Sequence, residues 1–296
     1  MGEKQGVWLR GNLHMHTQRS DGQLGFEDAV ALYEQAGYDF VAVTDHWVLS
    51  EQGTTPGGML LLPGCEYNVG HHVREGIYHI VGVGMQRAPA VVRHQPNLDA
   101  QQIIDAIRSA GGLAILAHPA WSLNSAEAVS HLTGLSGVEI YNTTSGFPYN
   151  ARPYSGLFVD QLGIHGVLLP CMAADDAHHY DEDAVKSYLM VHAREKTHAA
   201  VMEALWAGQF YATQGPRVEL TIIDQVAHVT CSPASRVVFY SDSVWNAERV
   251  TQGNGITQAS CRLTPRETFV RAEVTDECGR TAYTSPIRVP GSAHGC

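Results

Sequence analysis

Positive charge is scarce in this chain: 19 lysines and arginines stand against 30 aspartates and glutamates, a formal net charge of −11 over 296 residues. A surface that coats a nucleic-acid polymer needs clustered cations, so no such partner is expected. Cysteine is sparse too. The six residues (Cys65, Cys171, Cys231, Cys261, Cys278 and Cys296) are scattered and include no Cys-x-x-Cys pair. That argues against a zinc ribbon or a disulfide framework and for reduced thiols in a cytoplasmic protein. No apolar run approaches the ~20 residues that span a bilayer, so no membrane partner is expected. Met1 to Arg10 has neither an apolar core nor a small-residue cleavage site, and no signal peptide is expected. A Gly-x-Ser-x-Gly elbow and a P-loop are both lacking, which leaves serine-nucleophile hydrolysis and nucleotide-triphosphate motors without support.

Histidine, by contrast, is abundant, with 16 copies, and neutral imidazole is the commonest metal ligand. The run Gly11-Asn12-Leu13-His14-Met15-His16-Thr17 ends in two histidines one residue apart. On a β-strand, alternate residues share a face, so His14 and His16 project side by side. Their Cα atoms would lie about 6.5–7 Å apart, close enough for both imidazoles to converge on one metal ion.

A hydrophobic content of 44% and a charged content of 17% describe an ordinary globular chain. Its first two-thirds alternates strand and helix patterns. Strands are expected at Val7–Leu13, Asp39–Thr44, Leu60–Leu62, Ile77–Val83, Leu113–Ala117, Val138–Tyr141 and Val167–Met172, with helices over 25–36, 98–110, 125–132 and near 155–162. Such alternation predicts a mainly parallel sheet, open or closed into a barrel, with functional residues just past the C-terminal strand ends. Thr197 can cap a helix to Ala207. After Gly215-Pro216 only short strand patterns separated by turns remain, which read as a small antiparallel β sandwich. The expected division is therefore an enzyme domain over 1–215 and a small β domain over 216–296.

Carboxylates and further histidines recur at the expected strand ends. Asp21 lies in Ser20-Asp21-Gly22, and His46 closes Thr44-Asp45-His46. Glu66 follows Pro63-Gly64-Cys65, His79 sits on its own strand, His118 ends Ala117-His118-Pro119, and Asp176-Ala177-His178 follows Val167–Met172. Each alone has a dull explanation as a cap, a turn residue or a core histidine. Their recurrence at equivalent positions points to a metallohydrolase.

These motifs as a set resemble the polymerase and histidinol phosphatase (PHP) superfamily, in its stand-alone branch with a small C-terminal β domain. The resemblance covers the chain nearly end to end, including Gly208–Pro216 and Val274–Val289. It implies a distorted (β/α)7 barrel holding two or three divalent ions of zinc, manganese or iron. His14, His16, Glu66 and Asp176 would hold the first. Glu66 would bridge to a second, completed by His79 and His118, and Asp21, His46 and His178 would hold a third. The chain departs from the pattern at Asp21, where many phosphatase members have histidine, at Trp47, and at Asp175, which competes with Asp176 as ligand. His71, His72 and His179 stand near the motif positions without belonging to them.

Mixed histidine and carboxylate sites suit such ions. Two ions bridged by a carboxylate can hold a hydroxide and neutralise charge on a phosphoryl group. The expected function is thus metal-dependent hydrolysis of a small phosphomonoester or a nucleotide-like phosphodiester. Hydrolysis of an amide or carbamate on the same centre is the alternative, followed by a non-enzymatic metal-binding module. Arg19, Arg74 and Arg152 fall in loops of the expected active face and are candidates for phosphate recognition. The group that protonates the leaving oxygen is open between Asp21, His178 and a metal-bound water. Neither the oligomeric state nor the role of the β domain is legible.

Overall fold

The structure is a computed structural model that describes residues 6–70 and 76–291. Strand β1 (Val7–Asn12) carries the chain into the His-x-His segment. Helix α1 (Phe26–Gln35) buries Ala29, Val30 and Tyr33 along one stripe and returns the chain to β2 (Phe40–Ala42), parallel to β1. Gly11 sits opposite Phe40 in that ladder. A Cβ there would lie 2.1 Å from the Phe40 ring, so only glycine lets the two strands pair. Strand β4 (Leu60–Leu62) adds in parallel to β2, with β3 (Gly53–Thr54) antiparallel at the edge.

A second sheet follows the order β5 (Gly64–Val69), β6 (Tyr78–Val83), β7 (Leu113–Leu116), β8 (Gly137–Asn142) and β9 (Cys171–Ala174). Helix α2 (Ala100–Ser109) starts at a capping box in which the side chains of Asp99 and Gln102 each accept the other's backbone N–H. It buries Ile103, Ile104 and Ile107. Helices α3 (Ala126–Ser130) and α4 (Gly156–Ile164) make the next two crossovers.

The expectation of a mainly parallel (β/α)7 barrel is met only in part, as a mixed α/β fold. The pairs β5/β6 and β6/β7 are antiparallel, whereas β7/β8 and β8/β9 are parallel. The connection 70–77 is too short for the helical crossover that a parallel β5/β6 pair would need. Strand β10 (Tyr188–Ala193), which the strand–helix reading passes over, runs antiparallel beside β1 with Leu9 opposite Val191. The two sheets nonetheless enclose one core, which takes Phe40 and Leu189 from the first and Ile80, Leu116 and Ile140 from the second. Isolated parallel bridges at Met15–Ala177 and His46–Glu66 stitch the sheets together at the histidine-bearing end.

Helix α5 (His198–Trp206), capped by the Thr197 hydroxyl, leads to β11 (Phe210–Thr213). Beyond it come β12 (Val218–Ile223), β13 (Val226–Ser241), β14 (Val250–Arg262), β15 (Phe269–Thr275), β16 (Thr281–Tyr283) and β17 (Ile287–Arg288). Asp224 and Gln225, both with positive φ, make the tight turn between β12 and β13. The stretch Val226–Ser241 is one long strand, β13, with register shifts between Thr230 and Arg236, where short strands separated by turns were expected. These strands enclose a second core around Val237, Phe239, Val270, Ala272 and Val274. Their sheet is continuous with the first, because β16 pairs with β11.

Arg271 on β15 is fully buried. Its guanidinium grips Asp160 of α4 at 2.6 and 2.9 Å, reaches Glu273, and lies 3.4 Å from the Gly156 carbonyl. Tyr154 donates its hydroxyl to Glu273. No described helix is long and apolar enough to cross a membrane, and the five described cysteines are unpaired.

Candidate metal centre

The chain past β1 is pinned to the chain past β9 by backbone hydrogen bonds from Asp176 N to His14 O and from His16 N to Ala177 O. This ladder sends Met15 into the core and turns His14 and His16 to the opposite face, both wholly buried. His118 and Asp176 hold positive φ angles of 30° and 54°, the kind of backbone strain that collects at functional sites.

Three groups of ligand atoms result. His14, His16, Glu66 and Asp176 form the deepest, His46, Glu66 and His79 a second, and His16, Asp21, His46 and His178 a third near the surface. Glu66 stands between them. Its Oε2 lies 3.3 Å from His14 Nε2, 3.1 Å from His16 Nε2 and 3.2 Å from His46 Nδ1. Its Oε1 lies 2.8 Å from His79 Nδ1 and 3.4 Å from His118 Nε2. Asp176 Oδ1 is 3.1 Å from both His14 Nε2 and His16 Nε2. At the mouth, Asp21 Oδ2 lies 3.5 Å from His46 Nε2 and 3.6 Å from His178 Nε2, with the Asp21 side chain 51% exposed.

Burial alone would push the His14 and His16 imidazoles down. The surrounding carboxylates, Asp176 and Glu66 for both, with Glu139 for His14 and Asp21 for His16, outweigh it and leave both raised. The same attraction, from His14 and His79 first, holds Glu66 far below the usual carboxylate range against its burial.

The donor set fits divalent ions. Asp176 Oδ1 and His46 Nδ1 are buried with no hydrogen-bond partner, although other ligand atoms crowd both. An arrangement that leaves buried lone pairs facing one another is costly unless a cation lies among them. Mixed imidazole and carboxylate groups suit zinc, manganese or iron.

No family model matches the sequence, and no curated protein matches it. The structure is similar to that of a two-domain protein from Bacteroides vulgatus ATCC 8482, described as containing a predicted PHP-like metal-dependent phosphoesterase. The TM-score is 0.54 at 15% identity, over 95% of this chain and 96% of that one. The likeness is one of fold, over nearly the whole of both chains. Two further structures overlap less, each with a TM-score of 0.42. One is described as a metal-dependent phosphoesterase from Bifidobacterium adolescentis ATCC 15703, at 16% identity over 57% of this chain and 87% of that one. The other is an amidohydrolase from Chromobacterium violaceum with bound sulfate and no metal, at 17% identity over 58% of this chain and 89% of that one.

The structure brings together all nine residues of the expected ligand set: His14, His16, Asp21, His46, Glu66, His79, His118, Asp176 and His178. Glu66, expected just past the Leu60–Leu62 strand, lies inside the next strand, β5. Asp175 does not compete with Asp176. Its carboxylate accepts hydrogen bonds from the backbone of Val185, Lys186 and Ser187 and from the Tyr33 hydroxyl, and burial raises its pKa to about 6 in spite of them. The arginines fare differently. Arg19 stacks on Phe26, and neither it nor Arg152 lines the cavity. Arg74, His71 and His72 lie outside the described residues.

Several residues escaped the sequence reading. Glu139 on β8 accepts from His14 Nδ1 at 2.7 Å and from the His118 backbone at 2.9 Å. Asp45 holds the loop that carries Asp21 by accepting from Thr17 N, Thr17 Oγ1 and Ser20 Oγ. Asp183 accepts the backbone N–H groups of His178, His179 and Tyr180. The cavity of about 290 Å³ above the ligand groups is also lined by Trp121, Thr144, Ser145, Tyr149, Asn150 and His179. Of these only His179 had drawn notice, as a bystander.

Proposed function

We propose that the chain is a metal-dependent phosphoesterase acting on a small phosphomonoester or a nucleotide-like phosphodiester. The observation that carries this reading is Glu66, one buried carboxylate whose two oxygens face separate sets of imidazoles. His14, His16, Glu66 and Asp176 would hold one ion, and Glu66, His79 and His118 a second, with Asp21, His46 and His178 at a third position. Bound ions would supply an acidified water and neutralise charge on the phosphoryl oxygens. The chain's own residues do the rest. Glu139 accepts the His14 Nδ1 proton, which fixes the tautomer that turns the Nε2 lone pair inward. Burial of His14, His16, Glu66 and Asp176 excludes bulk water from the floor. His178 at the open mouth, beside the ionised Asp21, would hand a proton to the leaving oxygen when the third position is empty, and a metal-bound water would do so when Asp21 and His178 hold an ion.

Amide or carbamate hydrolysis on the same centre is the second reading. It is favoured by one observation: among the described residues, no lysine or arginine lines the cavity. The deciding experiment compares protein loaded with Mn²⁺ on nitrophenyl phosphate and on a nitroanilide, beside a His14→Ala control. Phosphate release that the control loses supports the phosphoesterase, and turnover of the anilide alone would replace it with the second reading.

A further inference from the structure

We propose that the outer wall of the cavity is a subsite for a planar ring without negative charge, so that the preferred phosphomonoester carries an aromatic leaving group. This rests on the phosphoesterase reading and narrows it.

The wall comes from two separate segments and is held in place before any ligand arrives. Trp121 donates its indole Nε1 proton to Asn150 Oδ1 at 2.9 Å, and Asn150 Nδ2 donates to the Thr144 carbonyl at 3.0 Å. Tyr149 stacks on His179 at 3.7 Å between ring centroids and 23° between planes. The His179 ring is itself tied to the Gln23 amide at 3.0 Å. Both aromatic side chains remain about two-fifths exposed, at 38% and 41%, and each is braced by a neighbour, Trp121 by Asn150 and Tyr149 by His179. Rings fixed in this way lose little rotamer freedom when another ring lies on them.

Position and size then select the ligand. Trp121 packs edge-to-face on His118 at 5.0 Å and on His79 at 5.9 Å. A group resting on it therefore stands directly beside the floor that would take the phosphoryl group. About 290 Å³ is at the small end for a ligand pocket, and ions and phosphoryl occupy its floor. What remains suits a small group of about the size of one ring. A second anionic group would meet no lysine or arginine among the described lining residues. It would meet instead a negative rim, where desolvation and then the carboxylates of Asp183, Glu182 and Asp181 hold the Tyr149 phenol above its ordinary value. In the hydrolysis the P–O bond to the ring-bearing alcohol breaks and a P–O bond to a water oxygen forms. The water's proton ends on the leaving oxygen, and the products are inorganic phosphate and the alcohol.

The test uses the full-length protein loaded with Mn²⁺, with benzyl phosphate and n-butyl phosphate as substrates. Their leaving alcohols are similarly poor, so the ratio of their kcat/KM values reports binding of the ring. Stacking on a fixed aromatic wall should favour the benzyl ester by roughly 3- to 10-fold. The substitutions Trp121→Leu and Tyr149→Leu should each bring the ratio toward one, chiefly through KM. Calorimetric titration of benzylphosphonate against butylphosphonate reads the same preference without turnover. A ratio near one in the unmodified protein, or a preference that both substitutions leave intact, overturns the ring subsite. If neither ester turns over, the phosphoesterase reading fails, and the phosphonate titration still decides the subsite. Preference for the benzyl compound that disappears in the leucine variants upholds it, and equal binding overturns it.

Discussion

Glu139 on β8 and His14, just past β1, share a hydrogen bond of 2.7 Å between side chains that are almost wholly buried and far apart in the sequence. The carboxylate also receives the His118 N–H and an Asn142 amide proton, so a single residue orients two expected ligands. Replacing it should harm metal retention before it harms the fold. For Glu139→Gln we expect a loss of about 10–100-fold in metal affinity, read by competition with a chromophoric chelator. Unchanged affinity with a lowered melting temperature would reduce Glu139 to a packing role.

The neighbouring aspartates should separate cleanly. Asp176 faces His14 and His16, and its Oδ1 has no hydrogen bond. Asp176→Asn should lower the number of ions bound per chain while the protein stays folded. Asp175 spends its carboxylate on the 185–187 backbone and Tyr33. Asp175→Ala should cost about 2–4 kcal/mol in urea unfolding through the donors left unpaired. If the two phenotypes were exchanged, the assignment of Asp176 to the site would be wrong.

Metal and protons compete for the same imidazoles. In the metal-free protein the carboxylates, winning over burial, raise His14 and His16 above the ordinary value of 6.5. Their contribution to stability is complete below that value and is lost as pH rises through the raised values. The metal-free melting temperature should therefore fall as pH rises above about 6.5, while the gain on adding metal grows over the same range. Differential scanning fluorimetry with and without Mn²⁺ checks both slopes. A metal-induced gain that shrinks with rising pH would count against histidine ligation.

Gly11 offers a test of the frame alone. A methyl group at that position meets the Phe40 ring at 2.1 Å, so Gly11→Ala should destabilise by about 1–3 kcal/mol. The double substitution Gly11→Ala with Phe40→Leu should recover part of it. Absence of any recovery would mean that the glycine serves something other than the approach of β1 to β2.

Much of this site was legible because strand geometry is simple. His14 and His16 share a face by periodicity, and His79 and His118 fall on or just after runs rich in β-branched and aliphatic residues. Glu66 was visible as a residue but misplaced, because Pro63-Gly64 reads as a turn although the chain resumes a strand there at once. Strand β10 was missed even though Leu189, Val191 and Ala193 alternate inward. Its antiparallel place beside β1 depends on a partner nearly the whole first domain away. Glu139 looked like any polar residue in a strand, and nothing local announces that it faces His14. Trp121 and Tyr149 were beyond reach for a similar reason. Their convergence depends on two loops carried by different strands, each held by hydrogen bonds formed only once the sheet exists.

The Arg271 network bears on how such a chain can change over evolutionary time. The arginine belongs to β15, but its charge is matched by Asp160 on α4 and reaches Gly156. Next to that glycine, Ser155 receives the Ala120 N–H, one residue from Trp121. A gene that ended near residue 216 would leave Asp160 without its cation and would bare the edge of β11, an open invitation to foreign strands. The β-rich end can drift in sequence wherever it faces solvent. It cannot be traded for an unrelated module without unsettling the ground beside the cavity.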